Sequence, residues 1–241
     1  MNRVRLGLVT ATAVLSLTFA NAAFASPIGT LNLSNCFGGS FNFSATTITW
    51  SPAGTVAGTG CADTQALTNI TWSGGTIGPG AAVNIKNVAS SGGVVDHFMD
   101  IIGAPALDFE LTAFGPATPT NGTACGTLSL GQSCIPFIGS SYLLTLGSGG
   151  LVTFSLHASG LATDGVGLPS LWGGDFTSQF GGISAATIQS ILLGSGSVNG
   201  SYSGTFTITP ASTQPVPEPA SLLLLGTGIA AAARRRFRNH A

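Results

Sequence analysis

Charged side chains are scarce in this chain. Of its 241 residues only 6% are Asp, Glu, Lys or Arg, against about 25% in ordinary soluble domains. A coiled coil or charged helical bundle needs such residues on its wet faces, so both are excluded. A nucleic-acid binder needs a basic patch to meet phosphates, and Lys86 is the only base between Arg5 and Arg234. Hydrophobic residues make up 44%, which excludes a disordered chain of low hydrophobicity.

The usual patterns of enzymes and metal sites are also lacking. There is no C-x-x-C pair, and only His97 and His157 are available in the central region as zinc ligands. The triplet Gly194-Ser195-Gly196 lacks the spacing of a hydrolase nucleophile elbow. No repeat of fixed period is present, which argues against a solenoid or propeller. We therefore expect no catalytic residues, no metal and no cofactor.

The N-terminus has the three parts of a secretory signal peptide. Arg3 and Arg5 precede the apolar run Leu6–Ala20, and Ala23-Phe24-Ala25 places small residues where signal peptidase reads them. We predict a signal peptide over residues 1–25, export by the Sec machinery, and cleavage between Ala25 and Ser26. The alternative is an uncleaved anchor, but the run is shorter than the ~20 residues that span a bilayer.

The C-terminus combines a short proline motif, an apolar segment and a basic cluster. Pro217-Glu218-Pro219 is followed by a segment rich in Leu and Ala over residues 220–233. A helix of that length would measure about 21 Å, short against a hydrocarbon core of about 30 Å, although snorkelling arginines can cover the mismatch. The basic cluster is a topology signal that holds its end in the cytoplasm; it consists of Arg234, Arg235, Arg236 and Arg238.

This tail resembles the PEP-CTERM sorting signal of Gram-negative bacteria over about the last 25 residues, 217–241. The resemblance implies that a membrane exosortase, with chemistry like that of a cysteine protease, recognises Pro217, Glu218 and Pro219 and processes the tail. It implies a transient membrane-held intermediate and a final place at the cell surface or outside the cell. The same tail carries the label "ice-binding protein C-terminal" on some proteins, which describes the tail and no activity. A plain tail anchor is the alternative, yet an anchor does not need the flanking prolines.

The region between the two ends is predicted to be all-β. Short apolar alternations are separated by turns rich in Gly, Pro, Asn and Ser over residues 26–210, which favours an antiparallel β-sandwich or jelly roll. One short helix is expected over Ser184–Leu193, with Ser184 as its cap and Gly194 at its end. Residues 211–216 are expected to be a linker. The candidate strands are 28–34, 40–50, 64–72, 82–88, 94–102, 106–114, 141–146, 151–158 and 198–209.

Four cysteines lie between the targeting segments. An even number in an exported domain predicts disulfides and not free thiols. Three pairings are possible, and we favour the one that is local in sequence, Cys36 with Cys61 and Cys125 with Cys134.

Carboxylates and tryptophans supply the remaining candidates for chemistry. Asp108 and Glu110 alternate with apolar residues, which places both on the solvent face of one strand, although paired carboxylates also suit a glycosidase. Asp96 and Asp100 share a strand face and are candidates to help hold Ca²⁺. Aromatic rings can stack on sugars or simply pack in the core; the three tryptophans are Trp50, Trp72 and Trp172.

The leading interpretation is an exported protein of the cell surface or extracellular matrix, associated with exopolysaccharide and without catalytic activity. A carbohydrate-binding module that uses a tryptophan is the first alternative. A glycoside hydrolase that uses Asp108 and Glu110 is the second.

Overall fold

The computed structural model describes residues 26–211. These residues form sixteen strands and one helix, α1, at Ala185–Leu193. The strands are Ile28–Asn35 (β1), Ser40–Ser44 (β2), Thr47–Ser51 (β3), Thr59–Thr64 (β4), Asn69–Trp72 (β5), Gly75–Ile77 (β6), Ala82–Lys86 (β7), Val88–Ala89 (β8), Val95–Ile101 (β9), Asp108–Phe114 (β10), Ser133–Cys134 (β11), Tyr142–Leu146 (β12), Val152–Thr163 (β13), Ser170–Phe180 (β14), Ser197–Gly200 (β15) and Ser203–Pro210 (β16).

Eight antiparallel strands form a sheet that closes on itself. Their order is β10-β9-β7-β4-β1-β16-β14-β13, and β13 pairs back with β10. The closure depends on the length of β13, whose single edge is shared between β12 over residues 152–156 and β10 over residues 158–163. In the same way β1 shares an edge between β4 and β5. A smaller sheet has the order β15-β2-β3-β8.

The prediction of an all-β region with one short helix is confirmed. A sandwich or jelly roll is not confirmed, because eight strands of the larger sheet close on themselves instead of forming one open layer. Closure satisfies the backbone groups that an open sheet leaves at its two edges. The sequence pattern shows which positions alternate between apolar and polar residues. That alternation is the same in an open sheet and in a closed one.

Aromatic side chains fill much of the core. The rings of Phe98 and Trp172 are stacked with centroids 6.1 Å apart, and Phe206 meets Trp172 edge-on at 5.5 Å. Phe43 of β2 lies 4.4 Å from Phe154 of β13, centroid to centroid. The small sheet therefore packs against the large one through the same continuous core.

Several strand predictions were wrong: 40–50, 64–72, 82–88 and 198–209 each cover parts of two strands, and β6, β11 and β14 were not predicted. The predicted strand 40–50 is a hairpin of β2 and β3, because the Ser44 side chain accepts from the backbone N–H groups of Thr46 and Thr47 and turns the chain. Strand β14 has Gly173-Gly174 in its interior, where glycine weakens the pattern typical of a strand. Because Gly174 has no side chain, β14 can pack closely against β16. An added Cβ would overlap the backbone carbonyl oxygen of Thr205 on β16.

The helix formed where its end signals predicted it. Ser184 lies in extended conformation and its Oγ accepts from the N–H of Thr187 at 3.1 Å. Ile188 and Leu192 are buried, and Gly194 follows the last turn. No helix among residues 26–211 is long and apolar enough to cross a membrane. The apolar segment predicted over residues 220–233 lies outside the described residues.

Candidate functional site

The predicted targeting residues fall mostly outside the described part of the chain. Ser26 is the first described residue, so Ala25 on the other side of the predicted cleavage point is not described. The same holds for the sorting motif Pro217-Glu218-Pro219 and for the basic cluster at 234–238. The structure adds no geometry to these predictions.

Both predicted disulfides are present. Cys36 is bonded to Cys61 with their Cα atoms 5.8 Å apart, which ties the end of β1 to β4. Cys125 is bonded to Cys134 with Cα atoms 5.3 Å apart, which closes the loop before β11. Gln189 of α1 donates to the carbonyl oxygens of Thr123 and Pro136 on either side of that loop. The second disulfide therefore helps fix the surface on which the helix rests.

The three tryptophans have different environments. Trp50 and Trp172 are only 5% and 2% exposed, and Trp172 Nε1 donates to the carbonyl oxygens of Glu110 and Leu161. Neither ring is available to stack on a sugar. Trp72 is half-buried and lines a surface cavity of about 360 Å³ together with Thr76 and Ile101. Trp72 is thus the one tryptophan in a position to meet a ligand.

The two carboxylates of the predicted pair have different surroundings. Asp108 and Glu110 are both half-buried and alternate along β10, as expected for one face of a strand. Asp108 lies against His97 and opposite Asp100, whereas Glu110 lies opposite a bulge in β9. The prediction that Asp108 simply faces solvent is therefore incomplete, because this side chain also contacts His97.

The bulge in β9 gives this region its shape. Asp108 pairs with Asp100 and Phe109 with Met99, but Leu111 pairs with Val95, so the three residues 96–98 of β9 stand opposite Glu110 alone. His97 has a φ of +50°, a left-handed conformation that is uncommon for residues other than glycine. Bulges re-aim side chains and are common beside functional sites. Here the bulge turns the imidazole towards both aspartates.

We call the group His97, Asp100 and Asp108 the His–Asp–Asp cluster. The Nδ1 atom of His97 lies 3.2 Å from Oδ1 of Asp100 and 3.1 Å from Oδ1 of Asp108. The three ligand-type atoms lie within 4.8 Å of one another. His97 is 57% exposed at its side chain and Asp108 only 23%, so the cluster is an open site with a partly buried floor.

The surroundings of Asp108 disfavour its ionised form. Burial raises the pKa of Asp108 above its ordinary value; the nearby His97 and Lys86 oppose this shift, and Asp100 and Asp96 add to it. Sequence reasoning grouped Asp100 with Asp96 and did not join either to Asp108. The signal that joins them is the strand register, which a single sequence does not reveal.

A second histidine–carboxylate pair lies elsewhere on the outer face. His157 on β13 and Asp175 on β14 are directly opposed, with Nδ1 and Oδ1 3.1 Å apart and both side chains more than half exposed. This pair has one carboxylate and a regular strand geometry. It is a natural reference for the His–Asp–Asp cluster.

Comparison with known families gives a match in the tail. Residues 215–236 match the family model of the PEP-CTERM protein-sorting motif. No curated protein and no solved structure matches the chain. The motif implies an exported protein that associates with the membrane and is processed by an exosortase on its way to the cell surface.

Proposed function

We propose that this PEP-CTERM protein is a structural component of the cell surface or extracellular matrix, acting without catalysis and in association with exopolysaccharide. The observation that carries the proposal is the sorting motif at residues 215–236. A sorting signal of this kind serves a protein whose place of work is the surface, and the folded region between the two ends then performs that work.

The two disulfides support a place of work outside the cytoplasm. Disulfides form and persist in oxidising compartments and are rare where thiols are kept reduced. All four cysteines of the chain are paired, Cys36 with Cys61 and Cys125 with Cys134. In the chain-entropy model, bridges of these spans stabilise the folded state by about 3 kcal/mol each, which suits a domain exposed to the environment.

The outer face of β1, β16 and β14 supports a matrix role. It presents hydroxyl and amide groups that bond to one another: Thr205 donates to Asn32 at 3.0 Å, and the hydroxyls of Thr177 and Ser203 lie 3.0 Å apart. Thr207 pairs with Thr30 on the same face. Hydroxyls and amides are groups that bond to sugar hydroxyls, and the few charges on this face leave little to repel an anionic polysaccharide.

Fractionation of cells tests the sorting part of the proposal. Changing Pro217, Glu218 and Pro219 to Ala removes the recognition strip but leaves the apolar segment and the arginines, so the protein should accumulate unprocessed in the membrane. The matched control removes Arg234, Arg235, Arg236 and Arg238 instead. That change weakens the topology signal and should send more unprocessed protein into the periplasm. Equal processing of wild type and the triple-alanine variant would reject sorting.

A carbohydrate-binding module is the second candidate, and the cavity at Trp72 favours it. The cavity is lined by Trp72, the hydroxyl-bearing Thr76 and residues 77–81, among others. An indole beside hydrogen-bonding groups suits a sugar ring. Glycan-array binding that is lost in Trp72→Ala, with the fold intact, would favour this candidate over a purely structural role. Binding to no glycan would remove it.

A further inference from the structure

Two carboxylates are held directly opposite each other in the His–Asp–Asp cluster. Asp100 on β9 pairs with Asp108 on β10 in the strand register. Like charges in directly opposed positions destabilise a pair of strands. Among residues 26–211 the sole lysine or arginine is Lys86, whose Nζ donates to the backbone oxygen of Asp96 at 2.6 Å. In the described part of the chain Lys86 forms no ion pair with either carboxylate.

His97 satisfies only one of the two aspartates. Its Nδ1 forms a hydrogen bond with Oδ1 of Asp100 at 3.2 Å. Oδ1 of Asp108 is equally near, at 3.1 Å, yet this buried oxygen has no hydrogen-bond partner among the described residues. The ring nitrogen carries at most one proton, and its hydrogen bond goes to Asp100. A bound cation would compensate the burial of this carboxylate oxygen.

We infer that the His–Asp–Asp cluster binds a divalent transition-metal ion of the Zn²⁺ type through Nδ1 of His97 and one carboxylate oxygen each of Asp100 and Asp108. One nitrogen and two oxygens are ligands that Zn²⁺ accepts in proteins. Ca²⁺ takes oxygen ligands only, so the imidazole argues against it. Because His97 faces solvent, a fourth position of a tetrahedral shell stays open to water. This proposal departs from the sequence-based expectation of no metal, and it stands independently of the sorting proposal.

The His157–Asp175 pair supplies the internal control. It has the same histidine-to-carboxylate distance, 3.1 Å, but no second carboxylate and no unpartnered buried oxygen. A single imidazole and a single exposed carboxylate offer too few ligands to bind an ion tightly. Any affinity that comes merely from surface histidines should affect both pairs alike.

The test is a calorimetric titration of the untagged full chain, in detergent at pH 7, with ZnCl₂ as the probe. We expect one saturable site. His97→Asn should weaken Zn²⁺ binding at least about tenfold, a loss typical of a damaged metal shell, and Asn also tolerates the left-handed backbone at this position. Asp108→Asn should have the same effect. The matched controls His157→Asn and His240→Asn should leave the affinity unchanged, and CaCl₂ at the same concentrations should give no binding.

A second readout protects the test against variants that fold poorly. Saturating Zn²⁺ should raise the Tm of the wild type and of His157→Asn, but not of His97→Asn or Asp108→Asn, because a ligand stabilises only the state that binds it. If Asp108→Asn does not fold, Asp100→Asn takes its place. Three results would each overturn the proposal: absence of a saturable Zn²⁺ site, equal Zn²⁺ binding in His97→Asn and His157→Asn, or selective binding of Ca²⁺.

Discussion

The inner and outer faces of the closed sheet follow different rules. Inside, large aromatic rings such as Trp172 and Phe206 pack together, and glycine leaves room for them: at Gly160 an added Cβ would come within 2.7 Å of Nε1 of Trp172. Outside, hydroxyls dominate, and charged groups gather at a few places such as the His–Asp–Asp cluster. The inner face therefore determines the stability of the fold, and the outer face determines which ligands or partners the protein can bind. Substitutions on the two faces should differ in kind, with large losses of stability inside and small ones outside.

The largest contrast is expected between two tryptophans. Trp172→Ala removes a buried ring that donates to the carbonyl oxygens of Glu110 and Leu161, and should lower the free energy of unfolding by about 3–5 kcal/mol. Trp72→Ala removes a half-buried ring at the surface cavity and should cost clearly less. Urea unfolding of the exported protein measures both. Equal losses of unfolding free energy would mean that the buried ring of Trp172 contributes no more to stability than the half-buried ring of Trp72.

Two adjacent glycines sharpen the comparison. Gly174→Ala would push a Cβ into the backbone oxygen of Thr205 and should cost about 1–3 kcal/mol, as overpacking usually does. At Gly173 the nearest atom to an added Cβ is that of Ser159 at 3.7 Å, an ordinary contact. Gly173→Ala should change the free energy of unfolding by no more than about 0.5 kcal/mol. The difference in urea midpoint between the two variants is the measurement, and a reversed order would contradict the assignment of faces.

A buried carboxylate gives a smaller effect that depends on pH. Asp164 accepts hydrogen bonds from the backbone of Ser73, Val166 and Gly167. Burial raises the pKa of Asp164, but these hydrogen bonds outweigh it, with the Ser73 bonds strongest, and lower the pKa to about 2. A lowered pKa means that the ionised form stabilises the fold at neutral pH, and that this contribution is lost as the pH falls below about 4 towards 2.

Asp164→Asn tests that contribution. The amide retains one acceptor oxygen where the carboxylate has two, so some donors lose their partner, at a cost of about 1–3 kcal/mol at pH 7. The gap in Tm between wild type and variant should be constant from pH 5 to 8 and should narrow towards pH 2. Asp175→Asn, on the exposed His157–Asp175 pair, is the control and should have little effect. A gap that persists unchanged to pH 2 would show that the charge of Asp164 does not contribute.

The sequence predicted what depends on local signals. The helix at Ala185–Leu193 follows from its serine cap and terminal glycine, and the disulfide pairing follows from an even count of cysteines and their proximity along the chain. The fold class follows from strand alternation. Each of these is decided within a few dozen residues, so a single sequence contains the information.

The features that sequence reasoning missed depend on contacts between distant strands. Closure of the sheet requires β13 to meet β10 about fifty residues away, and no local pattern reports that contact. Strand β14 was not predicted, and the close approach of its Gly174 to the backbone of β16 is a contact that no local pattern reveals. The His–Asp–Asp cluster depends on a bulge and on register, which bring Asp108 to His97. Alternation alone placed Asp108 correctly on the outer face and could not give its neighbours.

The central claim is that the chain is exported and then sorted by its tail, and the intact mass of the mature protein tests it most directly. The protein is collected from the cell surface and the medium of a strain that carries an exosortase, and from a matched strain without one. We expect the first mass to correspond to a chain that begins at Ser26 and lacks the basic cluster at 234–238. Without the exosortase, the chain should begin at Ser26 but retain that cluster in the membrane fraction. A mature surface protein that still carries residues 217–241 in the exosortase strain would contradict the account.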